Sequence, residues 1–239
     1  PDDIRGVWAT ILCQLDQAKA LNLAAIRDQV KLYSISGCNG VYSGGTASEI
    51  HTQTEAQFRK ISTCFADAAR AFKMSFQIGA THPLAHGTLD RVAFARTLNP
   101  GAIQITLPDW VPLDFDSVHL FMSRVTEVAG PTPIVLYNPP HAKTILTPSA
   151  LNELACNNPT LVGLKCGGGD ENWYCEMAPI FKRLSVFIPG HQYATGLKFG
   201  AHGSYSNMAC LSPKAAVRWA SEPQATALET ESRVATFIR

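Results

Sequence analysis

Short apolar runs alternate with stretches of helical spacing along nearly the whole chain, and this alternation restricts the fold more than any other feature. Ile4–Leu12, Asn39–Ser43, Met74–Ile78, Ala102–Leu107, Pro133–Tyr137, Thr160–Lys165, Ser185–Ile188 and Gly203–Ser206 read as strands. A continuous apolar run bounded by turn residues suits a strand buried on both faces. Between the strands lie helical patterns. Asn22–Ser36 places Leu23, Ile26, Val30 and Tyr33 on one side and closes on Gly37. Thr54 and Gln57 match a capping box that opens a long helix with Phe58, Ile61, Phe65, Ala68 and Phe72 as its buried stripe. Further helices are expected from about Thr88 to Leu98, and over Asp116–Ala129, Asn172–Arg183 and Ala194–Phe199. Thr147-Pro148 and Ser212-Pro213 each set a cap before a proline at the first helical position.

Strands alternating with helices imply a parallel sheet built from right-handed crossovers. Roughly eight such units argue for a closed (β/α)8 barrel over an open doubly wound sheet. The chain has 239 residues, 46% of them hydrophobic, and one α/β barrel takes ~250. No linker or charge block divides it. The expected organisation is one barrel over 1–213, followed by a C-terminal helical segment over 214–239.

Bulk properties remove several function classes. Net charge is +1 with no dense basic run, so a nucleic-acid partner is not indicated. No apolar stretch approaches the ~20 residues needed to cross a bilayer. Cys13, Cys38, Cys64, Cys156, Cys166, Cys175 and Cys210 are scattered with no Cys-x-x-Cys spacing, which suggests neither a zinc site nor a disulfide framework. Reduced thiols in a cytoplasmic protein are the simplest reading.

A closed barrel collects its strand ends on one face, where such enzymes carry their chemistry. Here those ends bring Thr46, His82, Trp110, Tyr137, Lys165, His191 and Ser206 together. Lys165 closes an apolar run, and three glycines follow after Cys166. A lysine in apolar surroundings loses solvation of its ammonium, so its pKa falls and a neutral amine becomes available to attack a carbonyl carbon. The plainer alternative is a surface lysine just past a strand. Tyr137, taken alone, favours an aromatic packed over the barrel rim. Beside a lysine on the next strand, ~4.8 Å away, it becomes a candidate for moving a proton to or from a bound carbonyl.

The turn Gly44–Glu49 offers backbone amides that could hold a carboxylate, and Thr46 adds a hydroxyl. It does not match a P-loop. His82 and His86 are four apart, but Pro83 lies between them and no acidic residue follows at ligand spacing, so they read as loop histidines and no metal is expected. His191 could touch substrate or merely cap a helix. Gly167–Gly169 could approach a phosphate, though no Arg or Lys nearby supports it.

Taken together, Gly44–Glu49, Leu136–Pro140, Leu161–Lys165 and Gly200–Asn207 resemble, in the same order, the dihydrodipicolinate synthase / N-acetylneuraminate lyase family of class I Schiff-base aldolases and lyases. The similarity runs from about Gly6 to Pro213. It implies a (β/α)8 barrel and a homo-oligomer, with a 2-oxo acid, usually pyruvate, held as a lysine imine and no external cofactor. By position it makes Lys165 the Schiff-base lysine and Tyr137 the proton-transfer tyrosine. Thr46 and Ala47 take the place of the pair that holds the pyruvate carboxylate, and Tyr205 sits where a main-chain carbonyl faces the site. Several residues depart from the pattern. Ala47 has no hydroxyl, and Ser48 replaces the usual glycine. Trp110 stands where the synthases carry a tyrosine that reaches into the neighbouring subunit's site. The arginine that in synthases follows the Tyr-Asn-x-Pro motif is absent, leaving His141 and Lys143 as nearby cations. These departures favour cleavage or dehydration of a 2-oxo-3-deoxy sugar acid, with Trp110, His191 and Lys143 as further substrate contacts. The alternatives are synthase-type condensation of pyruvate with an aldehyde, and a silent relative that only binds an oxo acid. The family also continues with a few more helices after the barrel.

Overall fold

The computed structural model describes residues 4–17 and 20–238. The outermost ends expected for the barrel and the tail, at 1 and 239, lie outside them. Eight parallel strands, β1 (Gly6–Thr10), β2 (Gly40–Ser43), β3 (Ser75–Gly79), β4 (Ala102–Thr106), β5 (Ile134–Asn138), β6 (Leu161–Cys166), β7 (Ser185–Pro189) and β8 (Gly203–Ser206), close into a barrel in sequence order. β8 pairs back onto β1. The helices α1 (Leu23–Ile35), α2 (Glu55–Ala71), α3 (Ala85–Thr97), α4 (Phe115–Ala129), α5 (Pro148–Asn157) and α6 (Glu171–Phe181) follow the first six strands. The short α7 (Tyr193–Lys198) follows β7. After β8 come α8 (Asn207–Leu211), α9 (Pro213–Ala220) and α10 (Gln224–Val234).

The period-2 alternation of each strand divides the core in two. Val7, Ile78, Ile103, Ile105, Leu136 and Leu164 point outward against the helices in one large cluster. Trp8, Tyr42, Ala102, Val135, Phe187 and Tyr205 fill the barrel interior as a second. Fully buried side chains such as Phe65 and Phe187 each contribute roughly 1.5–3 kcal/mol by leaving water. The α2 capping box is formed as expected, with the Thr54 hydroxyl accepting from the Gln57 amide at 3.2 Å and Gln57 accepting from the Thr54 amide at 2.9 Å.

Three elements differ from the sequence reading for local reasons. β1 stops at Thr10, because the next amide but one, Leu12, donates to the Gln29 side chain at 2.7 Å. α3 starts at Ala85, three residues earlier than expected. The His82 ring accepts the Leu84 amide at 3.0 Å and the Thr88 hydroxyl accepts the His82 amide at 3.1 Å, which fixes the entry turn ahead of Ala85. His86 therefore lies in the first turn of α3 and is not a loop residue. Finally, α8 is an extra helical turn before Ser212-Pro213, capped by the Ser206 hydroxyl accepting from Ala209 at 3.1 Å. α9 packs on β1 and α1 as part of the outer ring, while α10 lies on α7. Glu231 of α10 accepts the Thr195 amide at 3.1 Å and also its hydroxyl, which braces α7 at the barrel mouth.

Candidate active site

Tyr137 and Lys165 are direct register partners on β5 and β6. Both are interior-facing at the last turn of the barrel and half-buried, opening onto a cavity of about 440 Å³ at the strands' carboxyl ends. The lysine Nζ lies 4.0 Å from the Tyr137 ring centroid, 4.9 Å from Tyr42 and 5.5 Å from Tyr205. Protein surrounds the ammonium although the cavity keeps it accessible. Desolvation pushes its pKa down from 10.5 to about 7. An amine poised near neutrality can attack a carbonyl without further activation. Burial raises the Tyr137 phenol, and a hydrogen bond with Thr46 opposes that rise.

Thr46 and Ala47 open a single 3-10 turn after β2 and both line the cavity. Ser48 and Glu49 donate their amides to Gly45 and Thr46 within the turn, so Thr46 and Ala47 hold the first-turn amides that have no intrahelical acceptor. Close approach dictates the glycines before them. Gly44 has φ +66°, and a Cβ there would lie 2.3 Å from the Gly79 carbonyl oxygen. A Cβ on Gly45 would come 3.1 Å from a Tyr42 ring carbon. Ser48, the departure from the usual glycine, is fully buried. It donates to the Ile11 carbonyl at 2.7 Å and lies 3.2 Å from the Thr10 hydroxyl, which pins this turn to the end of β1.

The remaining expected residues divide. His191 lines the lysine cavity, 3.1 Å from the Asn207 side chain. Tyr205 also lines it, from the interior floor, with its hydroxyl donated to Gln77 at 2.6 Å. Trp110 is 75% exposed and lines an adjoining cavity of about 380 Å³ with His51, His82 and Asp109. Thr46, Tyr137 and His141 border both cavities. Lys143 lines neither: its ammonium donates to the Trp110 carbonyl at 2.7 Å and its amide to Asp109 at 2.7 Å. His141 is brought in by Asn138, which exchanges two 3.0 Å bonds with Leu146 and so sets the loop after β5. Sequence reasoning did not single out Thr10, Tyr42, Asn207 or Cys210, all of which line the lysine cavity. Tyr42 was findable as the interior-facing residue of a strand already placed. Among the described residues, no group of three or more His, Cys, Asp or Glu is arranged to hold a metal ion, and no helix is long and apolar enough to cross a membrane.

A (β/α)8 barrel that ends one strand in a desolvated lysine, with a tyrosine beside it and a cradle of turn amides opposite, defines a class: barrels built to hold a small carbonyl acid as a lysine imine. Within that class, the chain belongs to the dihydrodipicolinate synthetase family, whose sequence model matches residues 3–235. N-acetylneuraminate lyase of Escherichia coli K12 is 27% identical over 207 residues, covering 84% of this chain and 68% of the relative. The wild-type sialic acid aldolase of Ruminococcus gnavus superposes with a TM-score of 0.86 at 18% identity, over 97% of this chain and 77% of that one. Dihydrodipicolinate synthase of Thermotoga maritima gives 0.85 at 21% identity, over 96% and 79%. At such identities the two structures speak to the fold.

Proposed function

We propose that this protein is a Schiff-base lyase acting on a 2-oxo acid, with Lys165 as nucleophile, Tyr137 as proton-transfer group and Thr46 as its hydroxyl partner. The observation that carries the reading is the desolvated Lys165 amine, 4.0 Å from the Tyr137 ring, in a cavity at the carboxyl end of the barrel. The Lys165 amine attacks the C2 carbonyl carbon to give a carbinolamine. Loss of water gives a protonated imine, whose cationic nitrogen draws electrons from the adjacent bond. Breaking a C–C bond gives aldol cleavage, and breaking a C–H bond opens the route to dehydration. Tyr137 moves the protons, and the amides of Thr46 and Ala47 hold the substrate carboxylate. The imine is itself the electron sink, so the mechanism calls on no cofactor.

The substrate class proposed is a 2-oxo-3-deoxy sugar acid. Its polyol chain would meet His141, His191 and Asn207, which donate and accept hydrogen bonds along the cavity wall. The kinship with N-acetylneuraminate lyase points the same way. Self-association is proposed through the face on which Leu84, Trp110, Val111 and Leu120 are each more than half exposed. The decisive experiment is borohydride reduction with pyruvate and a panel of sugar acids, read by intact mass and peptide mapping. The expected adduct is on Lys165 and absent from Lys165→Ala. An adduct mapped to Lys143 or Lys198 overturns the assignment.

A further inference from the structure

Imine formation at Lys165 changes the charge of the site. Amine, carbonyl and one proton combine to give the protonated imine and one water. A cation then stands where a neutral amine stood, and the only carboxylate beside it is the substrate's own, one bond from the imine carbon and turned toward the amides after β2. Among the described residues lining the cavity there is no aspartate or glutamate to face that cation. Its surroundings are aromatic.

Three tyrosine faces point at the nitrogen, and only Tyr137 has a proton-transfer role in the reading above. Tyr42 and Tyr205 are both buried, and burial drives their phenols well above the ordinary range, so neither has a proton to trade near neutrality. Tyr205 is locked by its 2.6 Å bond to the fully buried Gln77. Tyr42 packs edge-on against Tyr205, centroids 4.8 Å apart at 69°, and Tyr205 leans on Phe187 at 4.5 Å. The two rings are therefore preset, with their faces 4.9 and 5.5 Å from the nitrogen. The thiols of Cys166 and Cys210, kept protonated by burial, and the imidazoles of His141 and His191 line the same cavity. None of these supplies a negative charge.

We propose that the faces of Tyr42 and Tyr205 form an aromatic cage that stabilises the cationic imine on Lys165 where the protein supplies no carboxylate of its own. The inference rests on the Schiff-base reading and adds two electrostatic residues to it. A ring face attracts a cation through its quadrupole, and the attraction grows when the cation is desolvated. An uncharged aromatic wall also suits the first step better than a carboxylate would, because a carboxylate would hold the free lysine as ammonium and blunt its attack.

The test separates ring electronics from shape and fold. Tyr42→Phe and the corresponding mono-, di- and trifluorinated phenylalanines keep nearly the same volume while draining the ring of negative potential. The readout is the equilibrium for imine formation with pyruvate, from borohydride trapping and intact mass across a pyruvate titration. The expected result is a stepwise fall along the fluorine series, reaching about two- to thirtyfold at the trifluoro variant. Tyr42→Leu, shown folded by its thermal melt, should trap less than Tyr42→Phe. A flat fluorine series, or Leu trapping as fully as Phe, overturns the cage while leaving the wild-type adduct intact. Failure of the wild-type protein to form any adduct removes both the cage and the reading beneath it.

Discussion

Tyr137 and Lys165 face each other across β5 and β6 as register partners, and the lysine nitrogen lies 4.0 Å from the tyrosine ring. This is the shortest route by which a barrel can juxtapose an amine and a phenol. Neighbouring parallel strands in register need no loop to bring their interior-facing side chains together. The pair is thus as rigid as the sheet, which suits groups that must stay aligned through several proton transfers.

The first prediction separates the two members of this pair. Tyr137→Phe keeps the ring that packs on Lys165 and removes the hydroxyl. Turnover should fall by ~10²–10⁴, the usual cost of losing a positioned acid–base group, while pyruvate-dependent trapping at Lys165 persists. Near-normal turnover in steady-state assays would make Tyr137 a rim residue.

The second concerns pH. With its pKa lowered from 10.5 to about 7, the folded-state lysine gives up its proton while the unfolded one still holds it. Stability rises with pH wherever the unfolded state binds more protons. The cost of burying this lysine is therefore fully present below about pH 7 and fades as pH climbs toward 10.5. Lys165→Met should melt a few degrees above wild type at pH 6, with the gap closing by pH 10. In parallel, the rate of imine formation should climb through about pH 7 and level off above it. A melting difference independent of pH, or a rate midpoint near 10, would show an ordinary solvated lysine.

How far these residues were legible in the sequence follows from the range of the interactions that place them. Lys165, Tyr137 and Thr46 lie at the ends of apolar runs, and a strand-end position in a barrel is a local property. The α2 capping box and the Thr147-Pro148 start are equally local. Thr10 and Cys210 escaped notice because what brings them to the cavity is barrel closure. The Cys210 thiol meets the Thr10 carbonyl across 200 residues of sequence, a contact that exists only once β8 pairs with β1. The start of α3 was not legible because its cap residue, Leu84, offers no side-chain bond to the first turn, and the entry is set by the His82 ring accepting the Leu84 amide. α8 is five residues long, too short to show a helical period.

The third prediction follows from Ser48, whose side chain is the stitch between the turn that bears Thr46 and Ala47 and β1. Ser48→Ala removes the 2.7 Å bond to the Ile11 carbonyl and leaves that carbonyl the longer 3.3 Å bond from the Thr10 hydroxyl. Stability should drop by about 1–2 kcal/mol. Because Thr46 and Ala47 ride on the same turn, the KM for the oxo acid should rise with a smaller change in kcat. A loss of stability with an unchanged KM would mean that the turn is held in place without Ser48.

The last prediction weighs two basic residues that follow the Tyr137-Asn138 motif. Lys143 was expected to contact the substrate, yet its ammonium is donated to the Trp110 carbonyl and lies over the Trp110 ring at 5.7 Å. His141 borders both cavities. Lys143→Met should therefore change kcat/KM by no more than about twofold, the scale of a surface substitution. His141→Ala should weaken a sugar-acid substrate by about tenfold, the scale of a hydrogen bond lost beside a buried centre, and should weaken pyruvate much less, because pyruvate has no polyol chain to reach it. Measuring kcat/KM for both substrates in both variants decides the matter. A tenfold loss on Lys143→Met confined to substrates with a distal carboxylate would mean that the lysine leaves Trp110 to bind them. Equal losses for pyruvate and sugar acid on His141→Ala would place the imidazole at the reacting end of the substrate, with Tyr137, and away from its tail.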